Sequence, residues 1–292
     1  MRGYNAAMTV ILADVLGYCM GVRRAVESAI NSINKDNDVY TLGPLIHNRT
    51  ALNSLEKKGL KVLDENKAEE AKKGSTVIIR AHGVPPSVNE ILKRKDCTIV
   101  DATCPRVTAS QKNAARYASM NYTVILAGDS NHGEVIGIAG YAGNKFYLVQ
   151  NSEEAQELPP PDNSEENAIL LSQTTFSPQE FEKIARILKK KYKNLKVMNT
   201  ICPATKERQD SLLRLCPLVE GILVVGGKNS ANTKRLLQTA KENCSKSALI
   251  ETADEIPDDF FKLNIVGITA GASTPDSAIE DVKNALISYG NR

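Results

Sequence analysis

The chain is organised around the segment Ile99-Val100-Asp101-Ala102-Thr103-Cys104-Pro105-Arg106-Val107, which predicts a strand end, a cysteine in a turn and a helix that opens on proline. The same pattern surrounds Cys19 and Cys202. The three cysteines lie 85 and 98 residues apart and divide the 292 residues into near-thirds. Such spacing indicates an internal repeat, and therefore three similar lobes.

Two sets of polar residues follow the cysteines at similar distances. The first set lies 28 residues after each cysteine and consists of His47, His132 and Ser230. The second set lies 63, 70 and 71 residues after them and consists of His82, Thr174 and Ser273. Each member follows an apolar or β-branched run, which places it in the loop after a strand. All three histidines of the chain fall on these positions.

Short apolar strands alternate with amphipathic helices along the whole chain. This alternation predicts an α/β fold of mostly parallel sheets, with about four short strands in each third. The lobe boundaries that follow from the cysteines are 1–103, 104–201 and 202–292. Lobes packed about a pseudo-threefold axis would bring Cys19, Cys104 and Cys202 together at its centre.

Composition excludes several classes of partner. The net charge is +3, from 37 basic and 34 acidic residues, so neither nucleic acid nor a membrane is expected as a partner. No apolar run approaches the ~20 residues of a membrane span, and the first residues lack the apolar stretch of a signal peptide, which predicts a cytoplasmic protein. In that compartment, six cysteines do not predict disulfides. We expect Cys97, Cys216 and Cys244, which lie off the repeat, to be core thiols.

The repeated cysteines are predicted to bind a metal centre. Each would lie at a helix N-terminus, where the helix dipole and free N–H groups favour a thiolate. Three thiolates leave one coordination position open, as a catalytic metal requires. Zinc and an iron–sulfur cluster are both candidates, although catalytic zinc sites more often include histidine and soft thiolates suit a [4Fe–4S] cluster.

Hydroxyl, amide and imidazole side chains at the strand ends predict an anion-binding shell for phosphate or diphosphate. The shell consists of His47, His82, His132, Thr174, Thr175, Ser230, Asn232 and Ser273. Glu134 stands out among the carboxylates because it lies two residues after His132. In a closed pocket its pKa would rise, which would make it a proton donor.

The chain contains, in order, Gly17-Tyr18-Cys19-Met20-Gly21-Val22-Arg23-Arg24-Ala25, Arg80-Ala81-His82-Gly83-Val84-Pro85, Asp101-Ala102-Thr103-Cys104-Pro105, Ser172-Gln173-Thr174-Thr175, Thr200-Ile201-Cys202-Pro203-Ala204-Thr205 with Arg208-Gln209, and Gly227-Lys228-Asn229-Ser230. These segments closely resemble motifs of the 4-hydroxy-3-methylbut-2-enyl diphosphate reductase family, which acts in the last step of the non-mevalonate isoprenoid pathway. The resemblance extends from about Val10 to Ile287.

The resemblance implies a trefoil of three α/β lobes around a central [4Fe–4S] cluster, which oxidation converts to a [3Fe–4S] form. It implies an oxidoreductase that removes the allylic hydroxyl of a diphosphate substrate with two electrons and two protons, and a ferredoxin or flavodoxin as the electron donor. The implied cluster ligands are Cys19, Cys104 and Cys202. The implied substrate ligands are His47, His82, His132, Thr174, Ser230, Asn232 and Ser273. The implied catalytic residues are Glu134, His132 and Thr174.

Two positions depart from the family pattern. The family usually has proline between the histidine and the glutamate, where this chain has Gly133, and we expect a looser backbone there. It often has a second serine where this chain has Ala231, which predicts weaker substrate binding at most.

Two functions from other classes compete with the reductase. An iron–sulfur sensor would load a cluster without turning over substrate and would leave Glu134 without a role. A zinc-dependent hydrolase of a phosphorylated substrate would be colourless and active in air. The sequence leaves a monomer and a homodimer equally open.

Overall fold

The computed structural model describes residues 8–33, 35, 38–46, 48–64, 66–161, 163 and 165–290. Over these residues the chain forms three four-stranded sheets, with helices between the strands. All strand pairs in these sheets are parallel. The predicted α/β class, with four strands in each sheet, is confirmed.

The strands are short and the helices mostly longer. The strands are β1 (Thr9–Leu12), β2 (Val39–Leu42), β3 (Leu60–Leu63), β4 (Thr76–Ile79), β5 (Thr98–Asp101), β6 (Thr123–Ala127), β7 (Phe146–Val149), β8 (Asn167–Ser172), β9 (Asn194–Val197), β10 (Gly221–Val225), β11 (Ser247–Ile250) and β12 (Ile265–Ala270). The α-helices are α1 (Met20–Ile33), α2 (Arg49–Lys57), α3 (Pro86–Arg94), α4 (Pro105–Ser119), α5 (Gly133–Ala139), α6 (Ser152–Glu157), α7 (Pro178–Lys191), α8 (Pro203–Leu215), α9 (Ala231–Asn243) and α10 (Asp276–Gly290).

The three sheets share one strand order. Sheet I has the order β3-β2-β4-β5, sheet II the order β7-β6-β8-β9, and sheet III the order β11-β10-β12-β1. In each sheet the first strand of the repeat lies between the second and the third, and a fourth strand pairs with the third. The internal repeat that the cysteines predict is therefore also a repeat of topology.

The first strand of the chain belongs to sheet III. β1 pairs with β12, from Thr9 opposite Ile265 to Leu12 opposite Ile268. The predicted range 1–103 groups β1 with the first lobe, so for this strand the structure corrects the prediction. A four-residue strand carries no local signal that identifies a parallel partner at the other end of the chain, because parallel strands are never joined by a tight turn.

The central strands are buried on both faces. Every residue of β6 and of β10 is buried, and both strands are apolar except for Thr123 at the start of β6, as is typical of parallel sheets covered by helices. Helix α7 packs Phe181, Ile184 and Leu188 into the core beside sheet II. This packing gives the strand ends a rigid support, so the loops that follow the strands start from fixed positions.

The acidic segment after β7 contains helix α6. Its N-cap Asn151 accepts a hydrogen bond from the Glu154 N–H at 2.8 Å. Glu153 and Glu154 lie in the first turn, where the helix dipole favours negative charge. The cap and the acidic first turn both stabilise this short helix.

By their internal contacts the residues fall into two compact units. One contains the chain up to Arg23, the segment Ile46–Lys58 and the chain from Pro203 onward, and includes sheet III. The other contains Arg24–Leu45 and Gly59–Cys202, and includes sheets I and II. Among the residues described, no helix has both the length and the apolar character needed to cross a membrane.

Candidate active site

Each repeated cysteine follows the fourth strand of a sheet and precedes a helix. Cys19 follows β1 and precedes α1, Cys104 follows β5 and is the N-cap of α4, and Cys202 follows β9 and precedes α8. All three are free thiols of intermediate exposure. The helix dipole and the free N–H groups of the first turn favour a thiolate at such a position.

One backbone hydrogen bond recurs at all three cysteines. In each case the cysteine N–H donates to a carbonyl in the loop after the third strand of the same sheet. The bonds join Cys19 to Ala272 at 3.0 Å, Cys104 to Ala81 at 3.0 Å and Cys202 to Thr174 at 2.7 Å. The three cysteines are therefore held in equivalent turns.

The turn before Cys19 depends on Gly17. Its φ of 75° lies in the left-handed region, which glycine adopts without strain. A Cβ at this position would also lie 2.9 Å from the Asp276 Oδ1. The Arg208 side chain, 3% exposed, donates a hydrogen bond to the Gly17 carbonyl oxygen. A buried cation thus fixes the backbone two residues before the cysteine.

The chemistry of these donors fits an iron–sulfur cluster, because three soft thiols at helix N-termini suit iron and leave one position without a protein ligand. The other cysteines pack with the cores, as predicted: Cys216 is 4% exposed, and Cys97 and Cys244 are partly buried. Within the described ranges, no group of three or more His, Cys, Asp or Glu side chains could hold a metal ion. The cluster therefore stays a prediction that rests on the donor set.

Glu134 is buried in a closed hydrogen-bonded pocket. It lies in the first turn of α5 and is 1% exposed. Its Oε1 accepts the Thr174 N–H at 2.6 Å and its Oε2 accepts the Thr174 hydroxyl at 2.7 Å. One residue at the end of sheet II thus binds both carboxyl oxygens.

Burial raises the pKa of Glu134 from 4.5 to about 7, because the carboxylate loses its hydration. The two hydrogen bonds from Thr174 oppose this rise, and the negative charge of Asp129 adds to it. A carboxyl group with a pKa near neutrality can hold a proton and release it at physiological pH.

Two predicted substrate ligands meet beside Glu134. The His82 and His132 rings are 5.0 Å apart between centroids and contact each other edge to face at 89°. His132 is the N-cap of α5, and its Nδ1 accepts the Glu134 N–H at 3.2 Å. A neutral imidazole with an accepting Nδ1 carries its hydrogen on Nε2, so His132 can donate that hydrogen to an anion.

The turns after the third strands show that Thr174 differs from its predicted repeat partners. Each turn is closed by an N–H that donates to the carbonyl three residues earlier. These bonds join Gly83 to Arg80 at 3.0 Å, Phe176 to Gln173 at 3.0 Å and Thr274 to Gly271 at 3.1 Å. In this register Thr175, and not Thr174, corresponds to His82 and Ser273. Spacing from the cysteines was off by one because it counts through segments of unequal length.

Sheet III carries the remaining predicted ligands. Ser230 is the N-cap of α9 and accepts the Thr233 N–H at 3.4 Å, so its hydroxyl hydrogen remains able to donate. Ser230, Asn232 and Ser273 are 7%, 6% and 6% exposed. The Asn232 Nδ2 has no hydrogen-bond partner among the described residues. A buried amide donor of this kind needs an acceptor, and an anion oxygen would supply one.

The structure places the predicted residues in two groups. Glu134, His132, Thr174 and His82 lie in one compact unit, and Ser230, Asn232 and Ser273 lie in the other. His47 lies outside the described residues.

Sequence analysis gave Gln173 no role, although it fixes the loop ahead of Glu134. Its Oε1 accepts the Asp129 N–H at 2.9 Å and its Nε2 donates to the Thr175 hydroxyl at 2.9 Å. Its place in the Ser172–Thr175 motif was the available signal.

Comparison with known proteins agrees with this geometry. The model of the LytB protein family matches residues 10–287. A 4-hydroxy-3-methylbut-2-enyl diphosphate reductase from Treponema denticola is 49% identical, and the alignment covers 96% of this chain and 99% of that protein.

Two solved structures share the fold. A structure of the E-1-hydroxy-2-methyl-but-2-enyl-4-diphosphate reductase from Plasmodium falciparum superposes with a TM-score of 0.87 at 30% identity, over 95% of this chain and 87% of that one. A structure described as (E)-4-hydroxy-3-methyl-but-2-enyl diphosphate reductase, the terminal enzyme of the non-mevalonate pathway, superposes with a TM-score of 0.73 at 39% identity, over 96% of this chain and 99% of that one.

Proposed function

The chain belongs to the LytB protein family, and we propose that it converts (E)-4-hydroxy-3-methylbut-2-enyl diphosphate to isopentenyl diphosphate and dimethylallyl diphosphate. The reaction takes up two electrons and two protons and releases the allylic hydroxyl as water. The observation that carries the proposal is Glu134, a carboxyl with a pKa of about 7, held by Thr174 beside two imidazoles. Loss of a hydroxyl as water needs such a proton donor.

Cys19, Cys104 and Cys202 would hold a [4Fe–4S] cluster, which oxidation converts to a [3Fe–4S] form. When bound, such a cluster supplies electrons and an iron that lacks a protein ligand. The equivalent backbone bonds at the three cysteines support this assignment, because they present each thiol from the same kind of turn.

Glu134 would deliver the protons and Thr174 would orient it. The two hydrogen bonds from Thr174 fix both carboxyl oxygens, so the carboxyl group is held in a defined orientation. The carboxyl is 1% exposed and is therefore shielded from bulk water. His132, which binds the Glu134 N–H through Nδ1, would donate from Nε2 to the substrate.

The other residues of the shell would bind the diphosphate. His82, Ser230, Asn232 and Ser273 are hydrogen-bonding groups at the carboxyl ends of parallel strands, where anions bind in α/β folds. His47, whose role rests on the sequence alone, would complete the set.

The reaction requires an electron donor. Electrons would come from a ferredoxin or a flavodoxin, and the chain would act as a monomer or a homodimer. The cytoplasmic location stays a prediction from the sequence.

The test is an absorption spectrum with iron and sulfide analysis on anaerobically purified protein, followed by addition of the diphosphate substrate and a reductant. We expect a brown protein with about four irons per chain that consumes the reductant only when substrate is present. Glu134→Gln is the matched control: it keeps the shape of the side chain and should retain the colour and lose turnover. Cys104→Ser should lose iron.

Other outcomes would favour the alternatives. A brown protein that binds substrate without consuming reductant would be a sensor. A colourless protein that holds zinc would refute the cluster and favour a hydrolase.

A further inference from the structure

Helix α5, which carries Glu134, has a glycine face. Gly133, Gly137 and Gly140 lie four and three residues apart, the spacing of one side of a helix. None of the three has a positive φ, so their backbone conformations are open to any residue. If glycine is needed at these positions, the reason is therefore the lack of room for a side chain and not the backbone conformation.

The loop after β4 occupies that space. A Cβ on Gly137 would lie 3.2 Å from the Gln111 Nε2 and 3.4 Å from the His82 carbonyl oxygen. A Cβ on Gly140 would overlap the Pro85 side chain and lie 3.0 Å from its Cα. The segment from Arg80 to Pro86 is thus seated along the glycine face.

Arg80 makes the contact nearest to Glu134. A Cβ on Gly133 would overlap the Arg80 Nη2 and lie 3.1 Å from its Cζ. Arg80 is 5% exposed, and its carbonyl accepts the Gly83 N–H at 3.0 Å in the turn that also holds His82. Gly133 is consequently a tightly packed position, and a side chain there would have to displace the Arg80 guanidinium.

The two loops therefore touch at two points. The Arg80 guanidinium lies against Gly133, and the His82 ring lies against the His132 ring. Gly133 is the peptide neighbour of both His132 and Glu134. A displacement of the guanidinium would shift the start of α5, and the carboxyl group with it.

We propose that Arg80 is a positioning residue: its guanidinium, seated in the space that Gly133 leaves open, holds the start of α5 and the Glu134 carboxyl in place against the loop that carries His82. The inference rests on the proposed reductase function, since it assigns Glu134 the proton. Proton transfer is sensitive to displacements well below 1 Å, whereas binding shared by several side chains is less so. The effect should therefore fall on kcat more than on KM.

The test is a double-mutant cycle on the anaerobically purified full chain with its cluster, using Gly133→Ala and Arg80→Ala. A methyl at 133 meets the far end of a flexible side chain, so the protein should fold with the guanidinium displaced. We expect Gly133→Ala and Arg80→Ala each to lower kcat about tenfold with KM changed less than threefold. The double variant should be no worse than Arg80→Ala alone, because the methyl then displaces nothing.

Ile136→Ala is the control, since Ile136 lies on the same helix, is 43% exposed and is not part of the glycine face, so its truncation should change kcat less than about twofold. Amide hydrogen exchange over residues 129–140 gives a readout independent of activity: Gly133→Ala should increase exchange in the wild-type background and not in the Arg80→Ala background. A wild-type kcat for Gly133→Ala, or effects that multiply in the double variant, would overturn the role of Arg80. If the wild type is inactive but Gly133→Ala shows the expected increase in amide exchange, the reductase function is rejected. The packing of the Arg80 guanidinium against Gly133 would still be supported.

Discussion

Replacing Thr174 by valine should move the pH dependence of the reaction to higher pH. The substitution keeps the volume and the backbone N–H that Glu134 accepts at 2.6 Å, and removes only the hydroxyl that donates to Oε2 at 2.7 Å. That hydroxyl favours the charged form of the carboxyl and lowers its pKa. Without this hydroxyl, one of the two hydrogen bonds that counteract the effect of burial on the pKa is lost. The pKa of Glu134 should therefore rise above its value of about 7.

The size of the change follows from the strength of the lost bond. A hydrogen bond to a charged group contributes about 1.5–3 kcal/mol, and each 1.36 kcal/mol corresponds to one pKa unit. The pKa should therefore rise by about 1–2 pH units. Since the proposed role of Glu134 requires its protonated form, the variant should stay active to higher pH than the wild type, although its maximal rate should be lower.

The assay is kcat/KM measured anaerobically across the pH range, because this quantity reports the groups of the free enzyme. Glu134→Gln, which should lose turnover, gives the baseline of the assay. An alkaline limb at the same pH in the valine variant, or at lower pH, would refute the assignment of the proton to Glu134.

Further predictions concern stability. Glu134 binds its proton more tightly in the folded state than in the unfolded state, so its stabilising contribution is complete below pH 4.5 and is lost as pH rises through about 7. The difference between these pKa values corresponds to about 3 kcal/mol in the free energy of unfolding, and urea titrations should show that Glu134→Gln lacks this fall. The Thr233 hydroxyl is fully buried without a hydrogen-bond partner among the described residues, so Thr233→Val should leave the urea midpoint unchanged or raise it; a clear fall would reveal a partner. Gly83 has a φ of 70°, and its Cβ would overlap the Gln111 amide, so Gly83→Ala should cost at least about 1–2 kcal/mol. Adding Gln111→Ala should relieve only the overlap, and full recovery of stability would contradict the backbone strain.

The cysteine positions could be predicted from the sequence because each obeys the same local rule. A strand, a turn and a helix start are written within about ten residues, and the structure gives all three cysteines the same backbone bond. Glu134 could be singled out for a similar reason, because it lies only two residues after His132, which occupies a position of the repeat.

Features that depend on contacts between distant parts of the chain could not be predicted from the sequence. The pairing of β1 with β12 joins opposite ends of the chain. The packing of Gly133 depends on Arg80, which lies in the loop after a strand of another sheet, β4, in the same unit. A glycine alone indicates freedom of the backbone, and only its spatial neighbours show whether that freedom is used.

Thr174 gives Glu134, the proposed proton donor, two hydrogen bonds that the residues at the corresponding positions of the other sheets cannot both supply. At the corresponding positions of the other sheets, Ala81 and Ala272 supply only a carbonyl to the cysteine N–H. Thr174 keeps that bond, to Cys202, and adds its own N–H and hydroxyl to the two oxygens of Glu134. A single residue therefore joins the turn of a candidate cluster ligand to the acid. The repeat supplies three equivalent cysteine turns, and a hydroxyl at one of them couples a buried carboxyl to that turn, so substitutions that disturb the backbone of Thr174 should impair both the cysteine turn and proton delivery.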